Sequence, residues 1–500
     1  MKKIILFTLC LISIYPLFSQ DNKTSEKPQP APPPVVTKHT MTINGKPFAY
    51  TATTGYMTIK EENGKEKANI FYIAYTKDGV TDVTKRPVTY TFNGGPGSSS
   101  VWLHMGLVGP KRIVMSENGD ALAPPYQYVD NELTWLDKSD LVFIDPVTTG
   151  YSRAVVGEKP DQFHGYVEDI QVVGEFIRLY ATKYQRWASP KFLAGESYGT
   201  TRATGLSGYL QDRFNMYING VVLISSILNF QTARFDKGND LPFALFLPTY
   251  CATAWYHKKL EPELQKDLQK TLREVENFAL NEYTLALTKG DLMTKEEEEN
   301  ITTKLSRYTG LSKEYIRQTN HRIEIARFVK ELRRKEGITV GRLDSRMTGN
   351  DYDNAGERYE FDPSNDGTIS GPYSASLNHY VRSTLKYDND LPYEILGGRV
   401  QPWNYNNVQN RYLNTAETLR QAMSENPYLK VLVACGYYDL ATPYFASEYT
   451  FNHMALRPNQ KKNVTFTYYE AGHMMYIHKD SFLKLKRDVD AFYESALSGK

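Results

Sequence analysis

The chain has 500 residues, with 59 Lys and Arg against 57 Asp and Glu and a formal net charge of +2. So even a balance gives no electrostatic case for nucleic-acid binding. A 41% hydrophobic share is enough for a sizeable core, and the length fits one large α/β unit with an insertion or two to three domains.

Lys2 and Lys3 precede an apolar run over residues 4–18, and Ser19-Gln20 leads into polar sequence. This pattern predicts an export signal over residues 1–19, and hence a secreted or periplasmic protein without stable membrane insertion. The run is shorter than the roughly 20 residues of a comfortable membrane span. Residues 20–40 turn proline-rich, with Pro28, Pro30, Pro32, Pro33 and Pro34, and are expected to form an extended linker. Residues 41–75 alternate like strands around an Asn63-Gly64 hairpin turn.

An apolar strand over residues 87–92 runs into Asn93-Gly94-Gly95-Pro96-Gly97-Ser98-Ser99-Ser100. On such a glycine turn, backbone N–H groups meet a ligand with no side chain in the way. Residues 141–144 form a second apolar strand, ending at Asp145. A third, residues 191–194, is followed by Gly195-Glu196-Ser197-Tyr198-Gly199 and a helix-compatible stretch over residues 200–210. G-x-S-x-G between a strand and a helix is the setting of a nucleophile elbow. Residues 221–224 read as one more buried strand.

The character then changes. Residues 260–335 are helical and charged, and residues 349–371 are rich in Asp, Asn and Gly. Residues 41–234 and 374–500 are expected to form one α/β unit, and residues 235–373 a mainly helical cap inserted over its site. The charge run over residues 330–336 reads as a solvated helix face. Further on, a strand over residues 431–434 leads to Asp439, and a β-like run over residues 463–469 leads to Gly472-His473.

A serine hydroxyl needs a base, and the base needs an orienting acid. The chain order serine, acid, histidine singles out Ser197, Asp439 and His473 as catalytic candidates. Asp145 precedes the serine, and His453 and His478 lie in helix-like contexts. Acyl transfer also needs N–H donors for an oxyanion, and Tyr198 and Gly95 are the candidates. No metal-ligand spacing and no phosphate-binding glycine loop is present, so no metal or cofactor is expected. Besides Cys10 in the export signal, Cys251 and Cys435 remain, and the sequence leaves their pairing open.

These motifs, together with Gly109-Pro110, Trp135, Asp145-Pro146 and Gly150-Tyr151-Ser152, resemble the serine carboxypeptidase family, secreted or lysosomal exopeptidases. The resemblance runs from about residue 45 onward. It implies the α/β-hydrolase fold, a mixed, mostly parallel sheet flanked by helices. It also implies that the Ser197, Asp439 and His473 triad hydrolyses the last bond of peptide or protein substrates through an acyl-enzyme. Asn93, Gly94 and Glu196 would hold the free C-terminal carboxylate. A carboxyl beside a carboxylate must keep its proton to donate, which favours mildly acid pH.

The sequence departs from the family at four places. Thr91 stands for a tryptophan, and Ser98 for a half-cystine. Leu107 stands for the glutamate that pairs with the one before the nucleophile, and Asp145-Pro146 is shortened. With Leu107 the carboxylate clamp loses a member, and His104 is the nearby candidate to replace it. The alternatives are an esterase or acyltransferase on the same triad, and a non-catalytic binding protein on a hydrolase scaffold.

Overall fold

The computed structural model describes residues 31–498, so the expected export signal lies outside the described residues. The central sheet holds β1 (Val35–Ile43), β2 (Lys46–Lys60), β3 (Glu66–Lys77), β4 (Val88–Phe92), β5 (Asp140–Ile144), β6 (Lys191–Ser197), β7 (Gly220–Ser226), β8 (Lys430–Gly436) and β9 (Val464–Tyr469). Their spatial order is β1-β2-β3-β5-β4-β6-β7-β8-β9, with the short strand Arg153–Ala154 also pairing with β3. The first three strands form an antiparallel meander, and β3 meets β5 antiparallel. From β5 to β9 every pairing is parallel.

The parallel strands inside the edge strand β9 are buried on both faces, which is why they read as largely apolar runs. Along β6, Leu193 packs with one face and Phe192 and Ala194 with the other, the two-residue period of a strand. Helices α1 (Tyr166–Lys183) and α2 (Tyr198–Phe214) cover the Leu193 face, and α3 (Leu241–Tyr256) belongs to the same apolar cluster. This sheet flanked by helices is the α/β-hydrolase fold.

Between β7 and β8 the chain forms α3, α4 (Leu268–Phe278), α5 (Lys295–Thr309), a stretch of short helices and loops, and α6 (Ser370–Ser383). Apolar nearly all round, α3 is buried along most of its length. A Thr294–Glu297 capping box starts α5, and Gly310 in the left-handed region ends it. The far face of the sheet is covered by α6 and α7 (Lys479–Leu497). Among the described residues no helix is long and apolar enough to cross a membrane.

Three local expectations change. The linker expected to reach residue 40 gives way to β1 at Val35, because an Asn44-Gly45 turn with φ of 51° and 72° closes a β1–β2 hairpin. The chain return expected at residue 374 falls inside α6, whose Tyr373 and Leu377 belong to the same core. In the charge run, Lys330 turns inward and pairs with buried Asp351 at 2.5 Å.

Candidate active site

β6 ends at Ser197 and α2 starts at the next residue. Ser197 sits at φ 59° and ψ −130°, a conformation that costs an L-residue energy and persists only where packing enforces it. The packing is tight. A Cβ on Gly195 would lie 2.1 Å from the Gly199 carbonyl oxygen, and one on Gly199 would lie 2.6 Å from that of Phe92. Only glycines let the strand and helix meet here.

The Asp439 carboxylate is fully buried just past β8. Its Oδ1 accepts the N–H groups of Ala441 (2.8 Å) and Thr442 (3.0 Å), and its Oδ2 accepts the Thr442 hydroxyl (2.7 Å). Oδ2 also meets His473 Nδ1 at 2.7 Å. The His473 backbone is held at both ends: its N–H donates to the Leu343 carbonyl (2.7 Å), and its carbonyl accepts the Ser225 hydroxyl (2.6 Å). Burial alone would pull the imidazole down, but the adjoining Asp439 carboxylate, with Glu196, outweighs it and holds His473 above its ordinary 6.5.

Ser197 and His473 line one cavity of about 620 Å³, together with Gly94, Gly95, Glu196 and Tyr198. A Cβ on Gly94 would stand 2.4 Å from the Tyr198 nitrogen, so the glycine loop lies directly against the elbow. As the first residue of α2, Tyr198 has an N–H without an intrahelical acceptor. Arg342, Leu343, Tyr359 and Ile369 close the cavity from the segment between β7 and β8.

Of the three residues expected at a carboxylate, Gly94 and Glu196 line the cavity. Asn93 is fully buried behind them. Its amide nitrogen donates to Glu196 Oε1 (3.0 Å), its side-chain oxygen accepts the Leu103 N–H (3.0 Å), and its carbonyl accepts Arg202 Nη1 (2.5 Å). The other Glu196 oxygen, Oε2, accepts the Tyr476 hydroxyl at 2.6 Å. Burial pushes the Glu196 carboxyl up to about 7, against the pull of His473 and the Tyr476 and Asn93 hydrogen bonds. Glu196 therefore keeps its proton in mildly acid solution.

Several residues fall elsewhere. His104 does not stand in for the missing glutamate. It stacks on Phe143, its Nε2 meets the Tyr75 hydroxyl at 2.7 Å, and burial pushes it down to about 3. Asp145 is structural, accepting the Ser100 N–H (2.9 Å) and the Tyr393 hydroxyl (2.8 Å). Cys251 and Cys435 are buried free thiols, and burial pushes both up. Thr442, Tyr476 and the Leu343 carbonyl are site residues that no sequence motif announced. The three-residue spacing from Asp439 to Thr442, common where a side chain caps a turn, was the one available signal.

The profile of the family described as "Serine carboxypeptidase" matches residues 43–486. Among curated proteins, the chain is 29% identical over 217 residues to "Serine carboxypeptidase-like 20" of Arabidopsis thaliana, covering 37% of this chain and 42% of that one. It is 29% identical over 147 residues to "Carboxypeptidase Y" of Schizosaccharomyces pombe, covering 29% of this chain and 13% of the relative. The matches thus span less than half the length of these relatives. Among solved structures, Kex1(delta)p, a prohormone-processing carboxypeptidase from Saccharomyces cerevisiae, superposes with a TM-score of 0.54 at 16% identity, over 88% of this chain and 91% of that one. With the profile covering nearly the whole described chain, the protein belongs to the serine carboxypeptidase family.

Proposed function

We propose that the protein is a serine carboxypeptidase that removes C-terminal residues from peptide or protein substrates. The observation that carries this reading is His473, held by buried Asp439, facing the same cavity as an elbow serine with φ 59°. In the proposed reaction His473 takes the Ser197 proton as the hydroxyl oxygen attacks the last peptide carbonyl. The Gly95 and Tyr198 N–H groups stabilise the oxyanion. Asp439 orients the imidazole and stabilises its charged form. His473 then protonates the leaving amine, the C–N bond breaks, and water hydrolyses the acyl-Ser197 by the same steps. Protonated Glu196, with Gly94 beside it, holds the substrate carboxylate.

The test uses blocked dipeptides matched except for a free carboxylate or an amide at the end, assayed from pH 4 to 8. The expected result is a preference for the free acid that fades as pH rises past the Glu196 titration, with Ser197→Ala slower by roughly 10³- to 10⁶-fold. Near-normal turnover by Ser197→Ala would sink the triad. Equal rates on acid and amide at every pH would remove the carboxylate reading and leave an esterase or a looser peptidase on the same triad.

A further inference from the structure

Both Glu196 oxygens are already engaged, Oε1 by the Asn93 amide and Oε2 by the Tyr476 hydroxyl. Neither partner is a carboxyl. Leu107, where the family resemblance places a second glutamate, is fully buried in an apolar cluster. Tyr476 does not line the active-site cavity. Its ring borders a second cavity of about 330 Å³, with Gly106, Tyr373 and Phe482. Gly106 makes room for the ring, since a Cβ there would stand 2.4 Å from Tyr476 Cε2. The Glu196–Tyr476 hydrogen bond therefore forms part of the wall between two cavities, with the carboxyl on the substrate side.

We infer that Tyr476 is a positioning residue that takes over from the missing carboxyl: its hydroxyl orients Glu196 and sets the pH up to which a free C-terminal carboxylate is told from a neutral end. The inference rests on the reading of Glu196 as the carboxylate-binding group. Physically, the two kinds of partner differ. A second carboxyl would share a proton with Glu196. A phenol donates its own proton and takes none, and burial holds Tyr476 well above the ordinary range of a phenol, so it stays a donor. Donation favours the ionised acceptor.

The other groups facing Glu196 are His473 and, behind it, Asp439, with Asn93 from the glycine loop and Tyr373 from α6. Burial and Asp439 favour the protonated carboxyl, whereas His473, Asn93 and Tyr476 oppose it. Removing the Tyr476 hydroxyl must then let Glu196 hold its proton to higher pH. A variant that has lost an interaction is expected to discriminate over a wider pH range, which a merely structural role does not predict.

The experiment measures kcat/KM for the free-acid dipeptide divided by that for its amide, from pH 4 to 8, in wild type, Tyr476→Phe, Glu196→Gln and the double variant. In wild type the ratio is expected to fall as pH rises, and in Tyr476→Phe the midpoint is expected to move up by about one pH unit. Glu196→Gln and the double variant should both give a ratio flat with pH. Gly106→Ala, which crowds Tyr476 without altering its chemistry, should move the midpoint in the same direction and serves if Tyr476→Phe does not fold. A midpoint unmoved in the folded variant overturns the role of Tyr476 and leaves the Glu196 reading standing. A wild-type ratio already flat with pH overturns both.

Discussion

His473 and Glu196 act on each other's titration: the imidazole pulls Glu196 down and the carboxylate pulls His473 up. In the proposed mechanism the productive state has His473 neutral and Glu196 protonated. In that mechanism a protonated His473 cannot accept the serine proton, and an ionised Glu196 cannot donate to a carboxylate. Asp439 sets the lower limit, because its negative charge is what lifts His473. Asp439→Asn is expected to cut kcat by about 10³- to 10⁴-fold and to move the acid limb of the profile to lower pH, which kcat measured between pH 4 and 8 will check. An acid limb that stays in place would mean that Asp439 does not set the charge of His473. At this scale the sequence exposed the residues whose chemistry depends on order along the chain: Ser197 in its elbow, then Asp439 and His473 behind strands. It hid Tyr476, because a tyrosine becomes a carboxyl's partner only through the fold.

At the scale of elements, the segment between β7 and β8 does more than wall the cavity. Residues 342–345 are stitched to both the Asp439 and the His473 loops. The Arg342 carbonyl accepts the Leu440 N–H (3.0 Å), and the Ser345 N–H donates to the Tyr438 carbonyl (3.0 Å), next to Asp439 on either side. The Leu343 carbonyl holds the His473 N–H, and Asp344 Oδ2 accepts the Gly472 N–H (3.0 Å). Asp344 also pairs with the Arg346 guanidinium at 2.6 Å, both side chains being nearly fully buried. Asp344→Ala would strand that cation and free the Gly472 amide. A loss of about 3 kcal/mol in stability is expected, with kcat falling more than KM changes. Denaturant unfolding and steady-state kinetics check this, and wild-type kcat in the variant would show that the stitch leaves His473 unaffected. Helices in this segment were legible from their periodicity and caps. The stitch was not, because it is made mainly by backbone groups, which every residue type carries alike. β1 was obscured for a different reason: the prolines just before it suggested a linker, and the Asn44-Gly45 turn that overrides them is only two residues long.

Across the whole molecule, buried carboxyls set a pH cost. Burial pushes Asp145 and Glu196 each up to about 7 from ordinary values of 3.8 and 4.5. A carboxyl raised in the folded state contributes stability that is complete below its unfolded value and is lost as pH rises through the folded one. The buried histidines held down by burial, His104 among them, act in the opposite direction, but only below about 6.5, where the unfolded chain still binds their protons. Between pH 6.5 and 8 the carboxyls act with little opposition, and Tm is expected to fall. Asp145→Asn keeps an oxygen for the Ser100 N–H and should flatten that slope. Thermal melts across the window check it, and an unchanged slope in the variant would clear Asp145 of the effect.

The proposed base, His473, reaches the site last. The glycine loop and the elbow are made early, whereas His473 follows the long segment between β7 and β8, and α7, which packs on the sheet behind it, follows His473. During synthesis the nucleophile therefore waits for its base until the parallel sheet has gained β8 and β9. On the proposed reading a growing chain would stay inert toward peptides around it until then, its proteolytic competence deferred by strand order.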